Sequence, residues 1–188
     1  MSNIALQTDL TTLTNVKEYL RITSTDDDNM IQRLISSCSI EMQTYINRYF
    51  QVQTYTDSFK GKNKNYHVFK YNPVQSIISI KVINFENNYY VPTILFNDEK
   101  QVFIDGIFKR SYLDYPNCQI IYTAGYTNTP LDVEQACIEW VGVKYKQIES
   151  LNMSSKSIAQ ETTAFIVKDI PDFVKVVLDQ YKSYNISI

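Results

Sequence analysis

From Asn29 to Tyr49 the apolar positions fall at Ile31, Ile35, Cys38, Met42, Tyr45 and Tyr49, in alternating steps of four and three residues. That spacing puts them on one face of a helix. Thr25 stands where a capping side chain would start it, and Asp26, Asp27 and Asp28 would sit in its first turn, at the positive end of the helix dipole. A shorter helix is predicted near residues 14–21, with Asn15 and Glu18 at capping-box spacing and Leu13, Val16 and Leu20 at helical spacing. Thr129-Pro130 with Asp132 opens a third helix, continued by Val133, Cys137, Trp140, Val141, Tyr145 and Ile148 to about Glu149. Asp169-Ile170-Pro171 opens a fourth, carrying Val174, Val177, Leu178 and Tyr181. Residues 150–164 are polar and read as a loop, and Ser183 to Ile188 show no pattern.

Between the second and third helices the period changes. Ile78, Ile80 and Val82 alternate with Ser79 and Lys81, as in a half-buried strand. Tyr66–Tyr71 and Tyr89–Phe96 alternate more weakly, and Pro92 places the latter at a sheet edge. Asp105-Gly106 between Val102-Phe103-Ile104 and Ile107-Phe108-Lys109 predicts a tight hairpin, because Asp-Gly accepts the positive φ angles of such a turn. Gln119–Thr123 reads as a further strand, with a turn-rich exit at Ala124-Gly125-Tyr126. The fold class expected from this layout is α+β, mainly α: a four-helix scaffold with a β-rich insertion between helices 2 and 3. The domain reading is a discontinuous helical body, 1–50 and 126–188, with 51–125 as the insertion.

Composition narrows the function. The chain has 188 residues, enough to bury about 70% of its unfolded surface without disulfides or metals. Eighteen Lys and Arg against 20 Asp and Glu leave a net charge of −2, which excludes a basic footprint spread over the whole chain. Fifteen tyrosines suit surfaces that become half-buried at subunit contacts, while four glycines leave little material for phosphate-cradling loops. Cys38, Cys118 and Cys137 are odd in number and widely spaced, so they read as reduced thiols. Residues 1–12 have neither a basic nor an apolar run, so no signal peptide is expected, and no stretch of 18 apolar residues predicts a membrane span.

Candidate chemistry is sparse. The only histidine, His67, has no nucleophile or orienting carboxylate assignable from the local sequence, and reads as a strand-face residue. Three scattered cysteines and one histidine lack the close ligand pairs of a zinc site. Asp26-Asp27-Asp28 lacks the alternating ligands, central glycine and final glutamate of a calcium loop. No catalytic residue, metal or cofactor is therefore expected. Lys60-Gly61-Lys62-Asn63-Lys64 lacks the second glycine and the Lys-Ser/Thr pair of a phosphate loop. It reads either as a solvated hairpin tip or as a basic loop that faces phosphate backbone once repeated around a ring. Trp140 reads as core packing or as a subunit contact.

Four phrases carry a family resemblance. Leu13-Thr14-Asn15-Val16-Lys17-Glu18-Tyr19-Leu20-Arg21-Ile22 precedes the acid cluster and a helix ending Tyr45-Ile46-Asn47-Arg48-Tyr49-Phe50; Asn72-Pro73-Val74-Gln75-Ser76-Ile77 enters a strand. Tyr122-Thr123-Ala124-Gly125-Tyr126 with Pro130 and Ala136 leads into the third helix, and Ile170-Pro171 to Leu178 and Tyr181 forms the last. In this order, over roughly residues 10–184, they resemble the head–tail connector (head-completion adaptor) family of tailed bacteriophages. The resemblance implies a non-enzymatic ring protein, typically of twelve copies, in the virion neck between capsid and tail, reached from the host cytoplasm during assembly. Such a ring would sit below the portal protein, extend the channel for genomic DNA, and dock the next neck or tail protein. On that reading Lys60, Lys62 and Lys64 are candidates to face DNA without sequence preference. Pro171, Phe173, Lys175, Tyr181, Tyr184, Ile186 and Ile188 are candidates to meet the portal. Tyr45, Tyr49, Trp140 and Tyr145 are candidates for subunit contacts, which in a ring join two different flanks. The alternatives are a sequence-independent DNA-binding module of phage DNA packaging, and a small enzyme built around His67.

Overall fold

The structure, a computed structural model, describes residues 8–83, 89–108, 117–153 and 169–182. In chain order its elements are α1 (Leu13–Leu20), α2 (Asp28–Ile46), β1 (Gln53–Phe59), β2 (Lys64–Val68), β3 (Val74–Ile83), β4 (Tyr89–Tyr90), β5 (Ile94–Asn97), β6 (Gln101–Phe108), β7 (Cys118–Ala124), α3 (Leu131–Met153) and α4 (Asp172–Asp179). Within the described residues they form two units, a helical one drawn from Met1–Phe50 and Asn128–Lys182 and a β one from Gln51–Thr127.

In the helical unit, α2 turns Ile31, Ile35, Cys38 and Met42 inward, all fully buried, and packs against α3, α1 and α4. The stripe then ends earlier than its spacing predicts. Asn47 adopts the left-handed conformation (φ 54°), and Asn47 and Arg48 donate their N–H groups to the carbonyls of Thr44 and Gln43. This closes the helix at Ile46, so Tyr49 leaves the stripe and stands 51% exposed. The start also differs: Asp27 takes the N-cap position with no side-chain bond to the first helical N–H groups, and Thr25 contributes its carbonyl, to Asp28 N–H. In α1 the cap is Thr12, not Asn15, with the hydroxyl accepting from Asn15 N–H. Polar groups on the inner face of α2 bind the preceding segment: Ser39 Oγ accepts from Leu10 N–H at 3.0 Å, and Gln32 Nε2 donates to Asp9 Oδ2 at 2.7 Å. α3 runs on to Met153, past the predicted end, and residues 154–164 of the expected loop lie outside the described residues.

The β unit consists of two antiparallel sheets, ordered β1-β7-β3-β4 and β2-β6-β5. β7 lies between β1 and β3 in the larger sheet and buries Cys118, Ile120, Tyr122 and Ala124 on one face. These join Val102, Ile104, Phe108, Phe69, Ile80 and Val82 in a core of the unit's own. The predicted Asp105-Gly106 hairpin does not form. β6 runs straight through that dipeptide because partners arrive on both sides, β2 on one and β5 on the other. The register slips between Lys64↔Phe108 and Tyr66↔Phe103, so Asp105-Gly106 is taken up in a bulge where Gly106 has φ 107°. Pro92 divides the expected single strand into β4, which pairs with β3, and β5, which pairs with β6.

These sheets overturn the expected mainly α fold with a four-helix scaffold. Among the described residues helix accounts for 39% and strand for about 30%, so the fold is α+β with neither class dominant. β1 escapes a hydrophobic count because its inward positions include Gln53 and Asp57, and β6 is longer than a turn at Asp105-Gly106 would allow. The two eight-residue helices α1 and α4 also supply less scaffold than their caps suggested.

All three cysteines are buried as free thiols. Burial pushes the Cys118 thiol up to about 11 and the Cys137 thiol up to about 12, and raises Cys38 and the Tyr122 phenol as well. The unfolded chain would release these protons near the ordinary values, about 8.5 for Cys and about 10 for Tyr. The folded state therefore holds protons that the unfolded state has lost, and stability falls as pH rises. For the reduced protein the thermal midpoint is expected to be flat from pH 7 to about 8.5, then to drop progressively towards pH 11. A midpoint unchanged across that window would show that these groups titrate freely in the fold.

Candidate functional site

The β unit contains a groove of about 610 Å³ beside the connection from β1 to β2. β1 pairs with β7 and β2 with β6, so this connection crosses from one sheet to the other and is not the tip of a hairpin. It is held at two points. Gly61, buried, donates its N–H to Asn117 Oδ1 at 2.8 Å, and Asn63 donates its N–H to the Phe108 carbonyl at 2.9 Å. Asn63 takes φ 60°, a conformation asparagine tolerates better than most side chains.

Lys60, Lys62 and Lys64 all line the groove, and all three are exposed. Lys64 Nζ donates to Tyr66 Oη at 3.0 Å and lies 5.0 Å from the centre of that ring. Lys60 and Lys62 have no carboxylate partner among the described residues. The remaining lining is aromatic or aliphatic: Phe59, Tyr66, His67, Val68 and Phe108. Phe59 and His67 stack at 4.0 Å, and Phe108 meets Phe59 edge-on at 5.3 Å. The result is an apolar floor with a cationic rim.

Beneath the floor, Asp57 Oδ2 gathers three donors. His67 Nε2 lies at 3.2 Å, Tyr122 Oη at 3.1 Å and Lys70 N at 3.3 Å. A carboxylate only accepts, so this contact fixes the proton on His67 Nε2. Asp57 is on β1, Tyr122 on β7 and His67 on β2, so the cluster ties one sheet to the other. Burial first, and then the Asp57 charge, hold the Tyr122 phenol above its ordinary range. The carboxylate that local sequence could not assign to His67 is thus Asp57, ten residues earlier. The groove lining contains no Ser, Thr or Cys for such a pair to activate. Among the described residues no group of three or more His, Cys, Asp or Glu converges on one point, and no helix is long and apolar enough to cross a membrane.

The other sequence candidates lie in the helical unit. Trp140 and Tyr145 are 1% and 6% exposed there, so their rings are spent inside their own unit. Tyr145 Oη donates to Asp27 at 2.8 Å. Tyr45 is half-buried, donating to Asp179 with Lys182 Nζ 4.0 Å from its ring centre, while Tyr49 is open. On α4, Phe173 is 41% and Val176 65% exposed, whereas Val174 and Leu178 are buried. Lys175 pairs with Asp172 at 3.3 Å. Pro171 is half-buried at the N-cap, and Tyr181 donates to Asp132 and meets Phe50 edge-on. Tyr184, Ile186 and Ile188 lie outside the described residues. The groove floor was not readable locally, since Phe59 on β1 and Phe108 on β6 lie forty-nine residues apart and in different sheets.

The chain, made of two units, carries a cationic groove with an aromatic and aliphatic lining on one of them. It belongs to the head completion protein family, which it matches over residues 9–184, and its role is that of a structural head–tail connector or adaptor. No curated protein matches the sequence. Among solved structures, a chain in the neck of an empty GTA particle computed with C6 symmetry has a TM-score of 0.54 at 10% identity, over 97% of this chain and 91% of that one. A chain in the neck of the native GTA particle computed with C12 symmetry gives 0.54 at 10% identity, over 96% and 92%. One in the virion of the native gene transfer agent (GTA) particle gives 0.53 at 10%, over 97% and 92%. At this identity the likeness is one of fold.

Proposed function

We propose that this connector works in the virion neck as a homo-oligomeric ring of twelve copies, without catalysis. In that ring it meets the portal protein on one side, docks the next neck or tail protein on the other, and encloses the path of genomic DNA. Family membership over residues 9–184 carries this reading, and the C6 and C12 symmetry of the GTA necks that share the fold supports it. The exposed part of α4, with Phe173 and Val176, is the candidate portal contact, and the half-buried Tyr45 and open Tyr49 are the remaining subunit-contact candidates. Native mass measurement of the purified chain, alone and with portal, tests the assembly: a ring on the portal is expected, and a lone monomer bound to it would overturn the reading.

Lys60, Lys62 and Lys64 are proposed to face DNA. Each lysine that neutralises a phosphate adds about 0.9 to the slope of log affinity against log salt. Replacing all three by Gln is therefore expected to flatten that slope by about 2.7 in duplex binding to the assembled ring. An unchanged slope would remove these lysines from the DNA path.

A further inference from the structure

We propose that the lysine-rimmed groove of the β unit binds single-stranded DNA, taking unpaired bases on its aromatic floor and the adjoining phosphates on Lys60, Lys62 and Lys64. This rests on the DNA-facing reading of those lysines and names the form of DNA that the groove fits.

Charge comes first. The span Gln51–Thr127 carries eight Lys and Arg against six Asp and Glu, whereas the rest of the chain carries ten against fourteen. The chain's positive excess is confined to the unit that holds the groove, and Lys60 and Lys62 are not neutralised there by a carboxylate among the described residues. The groove thus selects an anion.

The floor then decides between anions. A duplex presents phosphates and sugars outward and keeps its base faces stacked on one another. Against this groove it would engage the lysines and leave the half-buried Phe59 and Val68 wet. A single strand presents the same phosphates together with free base faces. A basic groove that tracks the backbone, lined by rings on which bases stack, is how proteins hold single strands without sequence preference. The cavity, at about 610 Å³, is within the size range of ligand pockets, which a lysine-rimmed duplex contact has no use for.

Tyr66, half-buried on β2, offers its ring to a base. Lys64, exposed on the same strand two residues before that ring, would place a cation where the phosphate next to that base lies. Phe59 and His67 are locked by their mutual stacking and by Asp57, so the platform is set before any ligand arrives.

The test uses the full chain with a fluorescein-labelled twelve-residue oligo-dT and a twelve-base-pair duplex, read by anisotropy at low salt. The oligo-dT is expected to bind at least tenfold more tightly than the duplex. Stacking of one base is worth roughly five- to 150-fold in affinity. Tyr66→Leu should therefore lose at least fivefold for oligo-dT and leave duplex binding unchanged, while Tyr66→Phe, which keeps the ring, should bind oligo-dT like the native chain. Equal affinity for the two DNAs, or Leu and Phe variants that bind alike, would overturn the single-strand inference. If the Lys60/Lys62/Lys64→Gln change still flattened the salt slope, the DNA-facing reading would stand without it. Binding of neither DNA by the chain or by its assembled ring would overturn both.

Discussion

Gly125→Ala is expected to cost the β unit about 3–4 kcal/mol, a large share of the roughly 5–15 kcal/mol that holds an ordinary domain folded. Gly125 has φ 130°, a region that residues with a side chain rarely enter. Space is the second obstacle. A Cβ at this position would lie 2.5 Å from the Gln51 carbonyl oxygen and 2.8 Å from Val52 N, both backbone atoms that no rotamer change can move. The surrounding chain cannot shift freely either. Gly125 donates its N–H to the Pro73 carbonyl at 2.9 Å and accepts from Gln75 Nε2 at 2.9 Å, and its neighbour Tyr126 pairs with Gln51. Hydrogen exchange read by mass spectrometry locates the damage: protection should be lost in Gln53–Phe59 and Cys118–Ala124, the strands that this crossing brings together. A loss below about 1 kcal/mol, with both strands still protected, would mean that the backbone at Gly125 relaxes into an ordinary conformation.

How legible such features were in the sequence depends on where their partners lie. The stripe of α2 was readable because a helix carries its own period, and Ile31, Ile35, Cys38 and Met42 are the residues it buries. Its end was not, because Tyr45 and Tyr49 continue the spacing while Asn47 stops the helix by its φ angle. Gly125 could be read as a turn, but the backbone it touches is more than seventy residues earlier. β1 alternates as a strand should, with Gln53, Tyr55, Asp57 and Phe59 inward, but a glutamine and an aspartate on the inner face hide that alternation from a hydrophobic count. Asp57 is tolerated there because His67, Tyr122 and the Lys70 N–H meet it, and none of those contacts is local. At the groove the same division holds. The three lysines were legible from their spacing, and the floor they stand over was not. One signal was available: Phe59 sits immediately before Lys60, and Tyr66 two residues after Lys64, so rings flank the basic loop on both sides.

Trp140→Ala is expected to lower the stability of the isolated chain by about 3–5 kcal/mol, and Trp140→Phe by less than about 1.5 kcal/mol. The indole is 1% exposed on α3, so truncating it opens a cavity inside the helical unit. It also removes the ring over which Lys144 Nζ sits at 4.4 Å, and Lys144 in turn reaches Glu41 on α2 at 3.0 Å. Phenylalanine keeps most of the volume and a face for that cation. It gives up no hydrogen bond either, because Trp140 Nε1 has no acceptor among the described residues. A tryptophan serving the ring would behave in the opposite way: its truncation would spare the single subunit, where the side chain would be half-exposed, and would weaken assembly instead. Denaturant unfolding followed by circular dichroism over a range of protein concentrations separates the two cases. The expected result is a midpoint that drops for Trp140→Ala by the same amount at every concentration. A midpoint like that of the native chain, with rings that no longer form, would move Trp140 from the subunit interior to the contact between copies.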